Sequence, residues 1–342
     1  MGFSRRFFRY LVVGVASLWL MIGIKACASP TTQQPSTESQ SATTSTEVAS
    51  NPIGAKKINI NTAILSELDK LEAQLAVPAL SHKIQASRPY GSTEELVSKN
   101  VVSQAQFDQI KDQLTIEEIV LTGEAKDIDY MTKLGLMKGH MIVAGELLTL
   151  QKPEQAEPHL GHPVEEIYVD LEEQLSDRNV TPFKDVLTRV QDLVKSKPND
   201  PQIKTEYEAA MTAIDQAIAA LPDTQRTNPN FVLPVINGML ETATSEYTAA
   251  ITDGKVKEAI EYQDSRGFVA YAQDELYKSI EPQITKADAT AHTQMTAAFK
   301  QLRSAWPEPI PPTTPVMTPD QVAASVKQIE QAGTPVVKAS AS

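Results

Sequence analysis

The chain has 342 residues, a formal charge of −12, 41% hydrophobic and 22% charged residues, which excludes a fully disordered chain and a polytopic membrane protein and leaves room for two domains. Its single cysteine excludes an internal disulfide, a zinc ribbon and an iron–sulfur cluster held by one chain. Aromatics are only 6%, a balance that suits helices better than sheets.

Residues 1–27 read as an export signal. Arg5, Arg6 and Arg9 precede an apolar run from Leu11 to Ile24. That run is short of the roughly 20 residues a spanning helix needs and suits the core of a signal peptide. Ser4-Arg5-Arg6-Phe7-Phe8 resembles a twin-arginine export motif, and Ile24-Lys25-Ala26-Cys27 resembles a bacterial lipobox. The resemblance implies lipidation of Cys27 and a body held outside the membrane, in the periplasm or at the cell exterior. Loss of Arg5, Arg6, Arg9 and Lys25 takes the charge from −12 to −16, which repels nucleic acid unless a local basic patch overrides it. Residues 28–57 are rich in Ser, Thr, Gln and Pro, the composition of a flexible linker.

Residues 58–115 read as short helices broken at Pro78, Pro89 and Gly91. Asn61-Thr62-Ala63, the aromatic-Gly pair Tyr90-Gly91 and the Glu95-Leu96 step resemble the helix-hairpin-helix family, in particular the ComEA-like competence proteins and a related extrinsic photosystem II subunit. That family implies two hairpins whose Gly-hydrophobic-Gly turns grip a DNA phosphate through bare amides. Here the turns fall at Val77-Pro78-Ala79-Leu80 and Asn100-Val101-Val102-Ser103. Neither holds a glycine, and Pro78 lacks an amide proton. Lysines and arginines balance the acids from Lys56 to Leu114, whereas a phosphate-binding surface is normally basic. A protein partner is therefore the first expectation for this module and DNA the second.

Residues 116–306 read as an α-helical bundle of about seven long helices. Thr181-Pro182, Asp200-Pro201 and Glu281-Pro282 are expected helix starts, with proline where an amide would be unpaired. Glu154–Tyr168 can be laid over Lys257–Tyr271, an echo short enough for chance in a helical chain rich in alanine and glutamate. Residues 307–342 read as a Pro-rich tail with one short helix, capped at Thr318-Pro319-Asp320-Gln321 and ended by Gly333 and Pro335. The fold class expected is all-α.

Three of the five histidines fall within 23 residues: His140, His159 and His162. His162 and Glu166 share a helix face, and Glu165 lies three residues on. Together with His140 and His159 they offer a nitrogen and oxygen shell suited to iron, copper or zinc. Each histidine also has a plain structural role open to it, as a buried or capping residue. His162-Pro163-Val164-Glu165, Glu261-Tyr262-Gln263-Asp264 and Arg266-Gly267-Phe268 are faintly similar to the imelysin and EfeO-type periplasmic iron-uptake proteins. That resemblance implies a metal role for His162 and Glu165. Tyr262, Asp264 and Arg266 are expected in an interhelical ion-pair network.

No phosphate loop, nucleophile elbow or His-Glu-x-x-His motif is present, so no catalytic residue and no small-molecule substrate is expected. The chain reads as a membrane-anchored envelope lipoprotein that binds or scaffolds without catalysis. Two alternatives stand beside that reading: a ComEA-like DNA-uptake receptor, and a periplasmic carrier of iron, copper or zinc.

Overall fold

The computed structural model describes residues 57–340, apart from residues 64 and 118–120. The export signal, Cys27 and nearly all of the linker lie outside the described residues.

The first module is built from pieces too short to hold a helix alone. β1 (Ile58–Asn59) is followed by α1 (Leu65–Leu75), α2 (Leu80–Ala86), α3 (Glu95–Ser98) and α4 (Gln104–Ile110), then β2 (Leu114–Thr115). The two strands pair in parallel, Ile58 opposite Leu114, and so close the module end to end. Ile60, Leu68, Leu71, Leu80, Ile84, Leu96, Phe107 and Ile110 bury into a core of its own. The Asn61 side chain fixes the central loop: its Nδ2 donates to the Tyr90 carbonyl at 2.9 Å, and its Oδ1 accepts from the Tyr90 amide at 2.8 Å. α1 also lies along the bundle, against α11 described below, where Lys70 Nζ is 3.0 Å from Glu241 Oε1.

The bundle comprises α5 (Gly123–Thr149), α6 (Pro153–His162), α7 (Tyr168–Asp177), α8 (Lys184–Ser196), α9 (Gln202–Ile218), α10 (Asp223–Arg226), α11 (Pro229–Ala249), α12 (Ala259–Tyr271), α13 (Lys278–Ala287), α14 (Ala289–Arg303) and α15 (Pro319–Ser340). A two-residue hairpin, β3 (Ile251–Thr252) with β4 (Lys255–Val256), links α11 to α12. The fold is all-α, with these two small ladders as the strands among the described residues. α6 runs into α7 through a π-helical turn at Pro163–Ile167, and α12 runs into α13 through another at Ala272–Tyr277. Pro163 has no amide to return to the preceding turn and its ring crowds the carbonyl four residues back, so the helix widens there.

The same order of elements thus occurs twice: a long helix, a π-interrupted helix and two more. α5, α6 and α7, α8, α9 form the first set; α11, α12 and α13, α14, α15 form the second. The sequence echo noted above is not aligned with this repeat. It sets Tyr168, which follows the first π turn, against Tyr271, which precedes the second. α5 packs against both α6 and α12, and α11 against α12 and α15. α5 and α12 cross at two glycines: a Cβ added to Gly267 would stand 2.1 Å from the Gly139 carbonyl oxygen. Only glycine permits that approach.

The structure corrects three expectations about helix ends. Glu281-Pro282 is not a start; it lies inside α13, and the break comes at Asp288, whose side chain accepts from the Thr290 and Ala291 amides. Thr181-Pro182 is not a start either, because α8 begins beyond it at Lys184, with Phe183 at the N-cap. The segment read as a tail with one short helix ends in a 22-residue helix, α15, which passes through Gly333 and Pro335. Val322, Ile329, Ala332 and Val336 lie on one buried face of it, against α11 and α14. Burial of that stripe, at about 1.5–3 kcal/mol per large apolar side chain, outweighs the roughly 3 kcal/mol an internal proline costs.

Candidate metal centre

Three helices bring four side chains together. His140 comes from α5, His159 and His162 from the last turn of α6, and Asp264 from α12. One ligand atom from each lies within 4.8 Å of those of the others. His140, His159 and Asp264 are buried, and His162 is half-buried. The Asp264 carboxylate is the hub. Its Oδ1 is 2.6 Å from His140 Nδ1 and 2.7 Å from His159 Nδ1, and its Oδ2 is 3.2 Å from His162 Nδ1.

The protonation of His159 can be worked out from its neighbours. Gln263 Nε2 donates to the Pro309 carbonyl at 3.2 Å and to Gln155 Oε1 at 3.3 Å. Its Oε1 therefore faces His159 Nε2, 2.9 Å away, and that nitrogen must carry a proton. A neutral His159 then turns a bare lone pair from Nδ1 toward a carboxylate oxygen. Two lone pairs at that distance need a positive charge between them, a second ring proton or a metal ion. His140 Nε2 is shielded from water without a hydrogen-bond partner, and His162 Nδ1 meets only Asp264 Oδ2, in a geometry short of a hydrogen bond. Three imidazoles and a carboxylate with an orphaned nitrogen form a donor set that fits iron, copper or zinc. An outer polar group that orients a ligating imidazole, as Gln263 orients His159, is what such sites require.

Electrostatics within the group are strongly opposed. Burial disfavours the Asp264 anion, but His140, His159 and His162 outweigh it and hold its pKa well below the usual range. Burial pushes His140 down. Burial also opposes charge on His162, yet Asp264, Glu166 and Glu261 prevail and raise it to about 10. Glu166 is pushed up to about 7 by burial, against the pull of His162. Such a concentration of shifted groups marks functional sites more often than scaffolding.

The centre opens into a cavity of about 630 Å³. Glu166, Glu246 and Glu261 line it from the bundle, and Asp69, Glu72 and His82 line it from α1 and α2 of the first module. Burial raises Glu246 well above its ordinary value, with Asp69 and Asp264 adding to the effect.

Of the residues singled out in the sequence, His140, His159 and His162 converge. Glu166 stands beside them, with Oε1 3.8 Å from His162 Nε2. Glu165 does not join them, which corrects the expectation carried by the iron-uptake resemblance: its Oε1 accepts from Gln191 Nε2 of α8 at 3.3 Å. Both glutamates sit in the π turn, and its wider winding sends them to different faces. Asp264 was expected in an ion-pair network with Arg266. Arg266 instead makes a bidentate pair with Glu146, at 2.7 and 2.8 Å, and donates to the Trp306 carbonyl. Glu246 is the residue that sequence reasoning missed, and Glu261, Gln263 and Asp264, quoted there for the iron-uptake resemblance, were given no ligand role. The chain has 43 acids, and no spacing singles these out.

The hairpin turns have no free amides to offer an anion. At the first, the Glu72 carboxylate accepts from the Ala79 amide at 2.8 Å, the Ser81 amide at 3.1 Å and the Ser81 hydroxyl at 3.0 Å. A carboxylate of the chain's own thus takes up these donors. At the second, the Asn100, Val101 and Val102 amides return to the Val97 and Leu96 carbonyls, and the Ser103 amide goes to Gln106 Oε1. Val77, Pro78 and Ala79 line the cavity, and Leu80 turns into the module's own core.

The iron permease-associated 4-helix bundle domain matches residues 222–340. The match spans α10 to α15, so Glu246, Glu261, Gln263 and Asp264 lie inside it and the three histidines lie outside. No curated protein and no solved structure matches the chain. No helix among the described residues is long and apolar enough to cross a membrane.

Proposed function

We propose that this chain is a non-enzymatic metal-binding component of an iron-uptake system, with His140, His159, His162 and Asp264 as the ligands of a transition-metal ion, iron first. The observation that carries this is the arrangement at Asp264. Three imidazole nitrogens face one buried carboxylate, one of them with its other nitrogen committed to Gln263. The domain matched by α10 to α15 supports iron as the cargo and a permease as the protein partner. The export signal and Cys27 add an envelope location with a lipid anchor, which would hold the centre on the same side of the membrane as arriving metal. A metal bound here supplies charge at Asp264, and the chain contributes orientation and a dry surround.

The test is elemental analysis and mass spectrometry of the full-length protein extracted from native membranes. It should carry stoichiometric iron, or copper or zinc in its place, together with a diacylglycerol mass on Cys27. His159→Ala should bind the metal more weakly and keep its fold by circular dichroism. A wild-type protein that stays metal-free after anaerobic loading with Fe(II) would mean that the imidazoles hold protons instead, and the proposal would fall.

A further inference from the structure

Beside the histidines, Glu246 of α11 is a buried carboxyl with no evident reason to be there. It is only 4% exposed, lines the cavity, and makes no hydrogen bond or ion pair to any described residue. A buried acid left alone is costly. Around the same cavity stand Glu166, Glu261 and Asp69, and no lysine or arginine is among the lining residues. Asp69 comes from α1, so the acidic wall is completed by the small N-terminal module.

We propose that this cavity is a second cation site, which takes a hydrated hard divalent cation between Asp69 of the first module and Glu166, Glu246 and Glu261 of the bundle. The donor chemistry differs from that of the first centre. The histidine group is rich in nitrogen and suits borderline transition metals, whereas the four carboxylates are oxygen-only and suit hard ions. The carboxylates do not form a compact ligand cage like the histidine group. The cavity is far larger than a bare ion, so the space between is filled by the ion's own water. Hard divalent ions dehydrate reluctantly and bind in this outer-sphere manner. The site also gives the first module a role. With its turn amides taken by Glu72, that module acts here as a wall bearing Asp69 rather than as a reader of phosphate. An ion captured in this cavity stands directly in front of His140, His162 and Asp264, which line it too. The inference extends the metal-uptake reading, but the site itself does not depend on the histidines.

Terbium(III) luminescence on the full chain provides the test, because the probe prefers carboxylates and its lifetimes in H2O and D2O count bound waters. The expected result is one saturable site that retains several waters. Glu246→Gln and Asp69→Asn should each weaken it about tenfold or more, while His159→Ala leaves it intact. Glu261→Gln, at a half-buried position, should show the same weakening if Glu246→Gln perturbs the fold. The proposal fails if terbium does not saturate, binds fully dehydrated, or binds equally well to all three carboxylate variants. Wild-type protein that binds terbium but no iron would count against the histidine centre alone.

Discussion

The two halves of the bundle share an order of helices and differ in what they carry into the middle. α5 and α6 contribute three imidazoles, and α11 and α12 contribute acids and an amide: Glu246, Glu261, Gln263 and Asp264. A repeated scaffold has been given complementary chemistry, nitrogen from one copy and oxygen from the other. The centre forms only where the copies meet, at the crossing of Gly139 and Gly267. Neither half holds it alone, and the part that matches an iron permease-associated domain supplies the carboxylates without the histidines.

The comparison is broken most severely at its hub. Asp264→Ala removes the one carboxylate that three histidines face, so it should abolish metal uptake and lower unfolding stability by about 3–5 kcal/mol, as read by chemical denaturation. Next comes the crossing. Gly267→Ala forces a Cβ onto the Gly139 carbonyl, and should cost about 1–3 kcal/mol and weaken metal binding as the helices part. Gly238→Ala is its control: the added Cβ meets Thr132 at 3.4 Å, an ordinary contact, so stability should change by no more than about 1 kcal/mol.

A gentler perturbation is pH. In the metal-free protein His162 is raised from 6.5 to about 10 and Asp69 from 3.8 to about 8, the latter chiefly by burial. Both groups bind protons more tightly folded than unfolded, so folding stability is lost as pH climbs toward those values. Glu166, raised from 4.5 to about 7, acts in the same direction at lower pH. His140, which is lowered, opposes the trend only below its unfolded value. The melting temperature of metal-free protein should therefore fall from pH 7 to pH 9. Bound metal, which competes with those protons, should flatten or reverse the slope. The smallest effect is expected at Glu165. Glu165→Gln should leave metal content unchanged and stability within about 0.5 kcal/mol, since Gln191 retains Glu157 as a partner at 3.2 Å.

The helical nature of the chain and the grouping of the histidines were legible because both are local. Apolar residues recur at helical spacing, and His140, His159 and His162 are near neighbours in sequence. The partner of those histidines was not legible. Asp264 lies more than a hundred residues away, and it is one acid among many on helices rich in them. The choice between Glu165 and Glu166 was hidden for another reason: regular 3.6-residue winding places either near His162, and the π turn decides between them. The last helix was misjudged because Gly333 and Pro335 are local stop signals, and the packing of Val336 and Ala332 against α11 and α14 overrides them. The Pro-rich stretch before it was taken for tail. It holds the Pro309 carbonyl that pins Gln263, and through Gln263 the tautomer of His159.

The central claim is that three imidazoles and one carboxylate share a single ion. X-ray absorption at the iron edge of the loaded protein bears on it most directly. The account requires outer-shell scattering from three imidazole rings with nitrogen and oxygen in the first shell, falling by one ring in His159→Ala. A spectrum with oxygen neighbours alone, unchanged in that variant, would contradict it.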